Sequence, residues 1–142
     1  MTTLVHATAV DIAGLGVLLL GASGAGKSDL ALRLIGDGAL LVSDDQTAVT
    51  VEGGTLAARA PLTIAGLIEG RGAGILRAPL KAATRLVLAV SLTPNRLERM
   101  PEGATWSLPG APKPAIPLLV LNPFEASAPA KLRLALISVP IA

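Results

Sequence analysis

The chain has 142 residues, 51% of them apolar and 15% charged, which is one domain's length with ample material for its own core and excludes disorder for the chain as a whole. Twelve Lys and Arg against ten Asp and Glu leave a net charge of +2, too slight an excess for binding duplex nucleic acid by counterion release. One Trp, one Phe and no Tyr supply no row of aromatic platforms for single strands either.

The N-terminal MTTLVHATAV lacks the basic start and apolar run of a signal peptide. No stretch approaches roughly 18 uninterrupted apolar residues, so no membrane insertion is expected. The absence of cysteine fits a reducing compartment, and a cytoplasmic protein with no nucleic-acid partner is the expectation. In chain order, residues 4–12 are β-branched and partly alternating and read as a strand, followed by a turn at Ala13-Gly14. Val17 to Leu20 form a continuous apolar run, as in a strand buried on both faces. A glycine-rich loop spans 21–26. Helical spacing takes over at 27–36, where Leu30 pairs with Leu34 and Ala31 with Ile35, and Gly36 and Gly38 end it. Leu40 to Val42 is a second apolar strand, stopping at Asp44-Asp45.

Residues 46–52 and 55–59 flank Gly53-Gly54 as a hairpin. The segment 67–76, LIEGRGAGIL, is rich in glycine and carries charges. Leu86 to Leu92 reads as a buried strand, 93–117 as largely irregular for its prolines, and Ile116 to Leu121 as a late strand. A closing helix is expected from Pro129, on the pattern of Leu132, Leu136 and Ile137. No repeat and no linker divides the chain, so residues 1–142 are read as a single domain.

Residues Gly21, Ala22, Ser23, Gly24, Ala25, Gly26, Lys27 and Ser28 fit G-x-x-x-x-G-K-[ST] in full, between an apolar strand and an amphipathic helix. Glycines let successive backbone N–H groups curl inward toward phosphate oxygens, and the helix start adds partial positive charge. Lys27 can bridge the outer phosphates and the Ser28 hydroxyl can bind Mg²⁺. If the strands on either side of the helix are parallel, both end on one edge, and Asp44 and Asp45 then face the phosphates. One carboxylate can help hold Mg²⁺; the other can take a proton from an attacking hydroxyl. Glu69 and Arg71 are polar loop residues taken alone, and near a Mg-nucleotide they become a metal-side carboxylate and a phosphate partner. His6, the sole histidine, sits in an apolar strand where a structural role is the commoner one. Trp106 is expected to pack under a loop.

Taken together, His6, Gly21 to Ser28, Asp44-Asp45 and Glu69-x-Arg71-Gly72-x-Gly74 resemble the catalytic domain of bacterial HPr kinase/phosphorylase in order and spacing, over roughly residues 4–77. The chain looks like a short form of that family without its N-terminal domain. The resemblance implies an α/β fold with a P-loop kinase core of the type shared with phosphoenolpyruvate carboxykinase, a mixed sheet and few helices. It implies an ATP- and Mg²⁺-dependent serine kinase acting on the phosphocarrier HPr or a paralogue. It also implies phosphorolysis of the phosphoserine by inorganic phosphate, and a homo-oligomer, commonly a hexamer. By family position Ser23, Lys27 and Ser28 contact phosphate and Mg²⁺, Asp44 and Asp45 form the catalytic pair, Glu69 is metal-side, and His6 lies near the phosphate. The family's Pro-Gly-Arg-Asn segment with its catalytic arginine is not found here. In that region stands Asn122 to Lys131, where Lys131, or else Arg133, is expected to supply the positive charge. Two other functions compete: a small-molecule kinase with a lid at Arg96 to Arg99, and a nucleotide sensor without transfer activity, against which the Asp pair argues.

Overall fold

A computed structural model describes residues 2–94 and 103–139, so the Arg96 to Arg99 lid expectation lies outside the described residues. The first strand, expected as one, is two: β1 (Thr2–Val5) and β2 (Ala7–Ile12), separated by a bend at His6. The break lets the chain change partners. β1 pairs antiparallel with β5 (Thr47–Glu52), whereas β2 is buried between β3 (Leu15–Leu20) and β4 (Leu40–Ser43). Ala13 and Gly14, both at positive φ, make the two-residue turn between β2 and β3, in register from Ile12 to Leu15. Gly53 and Gly54 do the same between β5 and β6 (Thr55–Arg59).

Helix α1 (Lys27–Gly36) carries the chain from β3 to β4. Because β2 is antiparallel to both, β3 and β4 run in one direction and end at the same edge, as the crossover argument requires. The hairpin β7 (Leu67–Gly70) and β8 (Gly74–Arg77) gives the glycine-rich segment its structure. β9 (Ala83–Leu92) then runs parallel to β3. The proline-rich stretch is not irregular where it is described. It holds β10 (Thr105–Leu108) and an extended β11 (Ala111–Leu121). Pro114 and Pro117 are tolerated because β11 docks on β9 only from Leu118 onward; before that it lies against β10 alone. Helix α2 (Ala128–Ile137) closes the chain, with Pro129 in its first turn as expected.

Among the described residues one nine-stranded sheet has the path β1-β5-β6-β9-β3-β2-β4, with β11 on the free half of β9's edge and β10 beyond it. Strand alternation sends Val10, Val17, Leu19, Leu41 and Val90 to one face, where Leu30 and Leu34 of α1 and Leu132 and Leu136 of α2 cover them. The other face gathers Ala9, Leu18, Val42, Val49, Leu56 and Leu86, with Trp106 of β10 packed at its margin. Gly16 allows β3 to lie close against β9: a Cβ there would clash with the Arg85 carbonyl oxygen. Near the β2–β3 turn, the buried Asp11 accepts from Thr84 Oγ1 (2.6 Å) and the Gly14 N–H (2.9 Å) and pairs with Lys81 (3.1 Å). Burial pushes its carboxyl up, but these partners outweigh that and hold it below its ordinary value. Among the described residues, no helix is long and apolar enough to cross a membrane.

Candidate active site

The carboxyl ends of β3, β4, β9 and β11 share one edge of the sheet, and the antiparallel β2 begins there. That single fact of topology assembles the site. The loop after β3 curls through an Ala25 N–H to Ala22 carbonyl bond (2.9 Å), and Gly26 stands at the helix start with φ of 100°, where no side chain caps the first turn. The first N–H groups of α1 are thus left for a ligand or water. The buried Lys27 ammonium reaches back over the loop to the carbonyl oxygens of Gly21 (2.7 Å) and Ala22 (3.2 Å).

The two aspartates after β4 point apart. Asp44 is 9% exposed, and its Oδ1 accepts from Ser28 Oγ (2.7 Å) and Thr8 Oγ1 (2.9 Å) while its Oδ2 accepts from the Glu69 N–H (3.1 Å). Asp45 takes a left-handed conformation, φ 67°, which Asp tolerates better than most residues. That turn directs its exposed carboxylate to His6 Nε2 at 2.8 Å. Such a solvent-facing pair adds little stability. Thr8 ties the halves together: its hydroxyl donates to Asp44 and accepts from the Asp45 N–H at 3.1 Å.

Thr8, which joins the two aspartates, is a site residue that no motif in the sequence marks. The structure brings the loop, Lys27, Ser28, Asp44, Asp45 and His6 to one edge of the sheet. Glu69 reaches the cluster through its backbone N–H, with an exposed side chain, and Arg71 is exposed in the β7–β8 turn. Lys131 stands on the first turn of α2 and pairs with Glu125 at 3.0 Å. Arg133 does not serve the site. Its guanidinium donates to the carbonyl oxygens of Leu34 (3.2 Å) and Asp37 (3.4 Å) at the far end of α1, about 15 Å of helix from the loop. Among the described residues no three His, Asp or Glu side chains converge as a metal cage. Ser28 and Asp44 nevertheless present hard oxygen donors side by side, which suits Mg²⁺, an ion that commonly completes its shell with phosphate oxygens and water.

Fold and site define a class: an α/β protein whose strand–glycine loop–helix unit faces a pair of strand-end carboxylates. The family model for the HPr serine kinase C-terminal domain matches residues 1–86, more than half of the chain, and the chain belongs to that family. It is 46% identical over 76 residues to an HPr kinase/phosphorylase of Brevibacillus brevis, and 49% identical over 76 residues to that of Halalkalibacterium halodurans. Each alignment takes in 53% of this chain but only 24% of the relative. A solved structure, the Hpr(Ser) kinase/phosphatase from Coxiella burnetii, superposes with a TM-score of 0.78 at 26% identity, covering 96% of this chain and 94% of that one.

Proposed function

We propose that the chain is an ATP- and Mg²⁺-dependent protein kinase that phosphorylates a serine of the phosphocarrier HPr or a paralogue. The observation that carries the reading is the division of labour between the adjacent aspartates. Asp44 is buried on the Ser28 hydroxyl beside the loop, and Asp45 is exposed on His6. Binding alone needs no second carboxylate facing solvent; a proton acceptor for an incoming hydroxyl does.

In this reading the loop N–H groups and Lys27 hold the outer phosphates. Ser28 and Asp44 would hold Mg²⁺, with Glu69 as the further metal-side carboxylate and Arg71 as a phosphate partner from the hairpin. When bound, Mg²⁺ neutralises charge on the phosphate oxygens. Of the roles the sequence leaves to Asp45, base or metal ligand, its pairing with His6 favours the base. The substrate serine oxygen bonds to the γ-phosphorus, the bridging bond to the β-phosphate breaks, ADP leaves, and the serine proton passes to Asp45, held in place by His6. Lys131, paired with Glu125, is the cation in the region where the family arginine is missing. Phosphorolysis uses the same groups: inorganic phosphate attacks the phosphoserine phosphorus, pyrophosphate forms, and Asp45 returns a proton to the serine oxygen. The protein is read as a cytoplasmic homo-oligomer, which would cover exposed apolar side chains such as Leu62 and Ile75.

The test is intact-mass spectrometry of HPr after incubation with this protein, Mg²⁺ and ATP, followed by peptide mapping. One phosphate on a serine is expected, removed with release of pyrophosphate when ATP is replaced by inorganic phosphate. Asp45→Asn should abolish transfer and leave ATP affinity intact. Unmodified HPr in the presence of demonstrable ATP binding refutes the kinase.

A further inference from the structure

The only phenylalanine of the chain, Phe124, is 57% exposed, and it is held beside the loop. A Cβ placed on Gly26 would come within 2.9 Å of Pro123 Cγ and 3.5 Å of Phe124 Cε1, so the turn after β11 rests on the last glycine before Lys27. That turn is braced from behind. The Phe124 N–H donates to Asn122 Oδ1 at 3.0 Å, and Asn122 Nδ2 donates to the Pro94 carbonyl at 3.3 Å, fastening the end of β11 to the end of β9. From α1, Arg33 donates to the carbonyl oxygens of Pro123 and Glu125. An apolar ring gains nothing from water, yet here several polar contacts fix the backbone that presents it.

Position explains the arrangement. Across the sheet edge, Asp44 and Asp45 lie to one side of the loop, beyond β2. Phe124 lies to the other, past the ends of β9 and β11. A nucleoside triphosphate with its terminal phosphate toward the aspartates extends its base the opposite way. We propose that Phe124 is the stacking platform for the nucleotide base, on a turn preorganised by Asn122 and Arg33. This rests on the reading that the loop binds nucleotide phosphates. One ring is too little for a nucleic-acid strand, but it suffices for a single base, whose flat face stacks on an aromatic side chain. Preorganisation lowers the ordering cost of that contact.

The test compares Mg-ATP with Mg-tripolyphosphate, which keeps the phosphate chain and lacks the base, by calorimetric titration of wild type, Phe124→Ala, Phe124→Trp and Lys27→Ala. Phe124→Ala should weaken ATP about tenfold or more and leave tripolyphosphate unchanged. Phe124→Trp should keep ATP affinity. Wild-type ATP affinity in Phe124→Ala overturns the proposal. Equal loss of both ligands also overturns it, by making the residue a brace for the loop. If wild type binds tripolyphosphate and Lys27→Ala does not, the phosphate reading stands whatever Phe124 does. If wild type binds neither ligand, both readings fall together.

Discussion

Replacing Asp44 with asparagine removes one charge and turns one acceptor into a donor, in a buried position where three donors already converge. Oδ1 takes the Ser28 and Thr8 hydroxyls and Oδ2 takes the Glu69 N–H. One amide orientation keeps an oxygen on the hydroxyls and sets an NH₂ against the Glu69 N–H. The other returns an acceptor to Glu69 but sets the NH₂ against Ser28 and Thr8, and the Thr8 oxygen must still accept from Asp45. Either way a buried donor loses its acceptor, at a cost of about 1–3 kcal/mol. For a chain of this length that is a fall in Tm of roughly 3–10 °C. Urea unfolding followed by the fluorescence of Trp106, the single tryptophan, measures the stability loss. Phosphoserine formation on HPr, titrated with Mg²⁺, measures the chemistry. Turnover should fall at least about 100-fold, with the Mg²⁺ requirement moved to higher concentration. A variant that is less stable but fully active would make Asp44 structural only, and one unchanged in both would refute the hydrogen-bond arrangement itself.

Thr8→Val keeps the shape and removes the hydroxyl joining the two aspartates, so turnover should drop about tenfold with ATP affinity unchanged, and Thr8→Ser should restore it; loss of ATP affinity instead would show that Thr8 supports the loop. Gly26→Ala puts a Cβ at a left-handed φ and 2.9 Å from Pro123, so destabilisation of about 2 kcal/mol or more is expected in urea melts, and wild-type stability would mean that the turn does not rest on the loop. Asp11→Asn tests the other end of β2. The folded carboxyl lies below its ordinary value, so the stability it contributes is fully present above about pH 4 and is lost as pH falls through the lowered folded value. The stability gap between wild type and Asp11→Asn should therefore hold steady from about pH 7 to 5 and narrow below about pH 4. A gap independent of pH would contradict the ion pair with Lys81.

The parts legible in the sequence are those fixed by local chemistry. Gly53-Gly54 and Ala13-Gly14 announce their turns because positive φ is required there. The loop, α1 and the ends of β3 and β4 follow from a motif and a helical period. The parts that were not legible depend on distant partners. Nothing in the continuous run Leu4–Ile12 marks a break at His6, because the break exists for β1 to reach β5, far along the chain. The prolines of 111–117 look like loop residues until β11 is seen to have only β10 beside it there. Thr8 looks like any strand threonine until Asp44 and Asp45 arrive on either side of its hydroxyl.

The same contrast separates the two portions of the chain. The family match ends at residue 86, whereas the structural superposition extends over 96% of the chain. The matched portion holds the loop, Asp44, Asp45, Glu69 and His6. Past it, much of β9, β11 and α2 contributes Leu88, Val90, Leu119, Leu121, Leu132 and Leu136 to the core. Packing asks of such positions only an apolar side chain of about the right volume, so the fold can extend past the family match. Other residues of that portion lie outside the core. Phe124 is exposed, Glu125 and Lys131 are paired at the surface, and Arg33 reaches across from the matched portion to hold their turn against Gly26. On the stacking proposed for Phe124, exchanging the turn after β11 for a relative's should change Mg-ATP affinity in calorimetric titration, while the Asp45–His6 pair, across the sheet edge, should stay as it is.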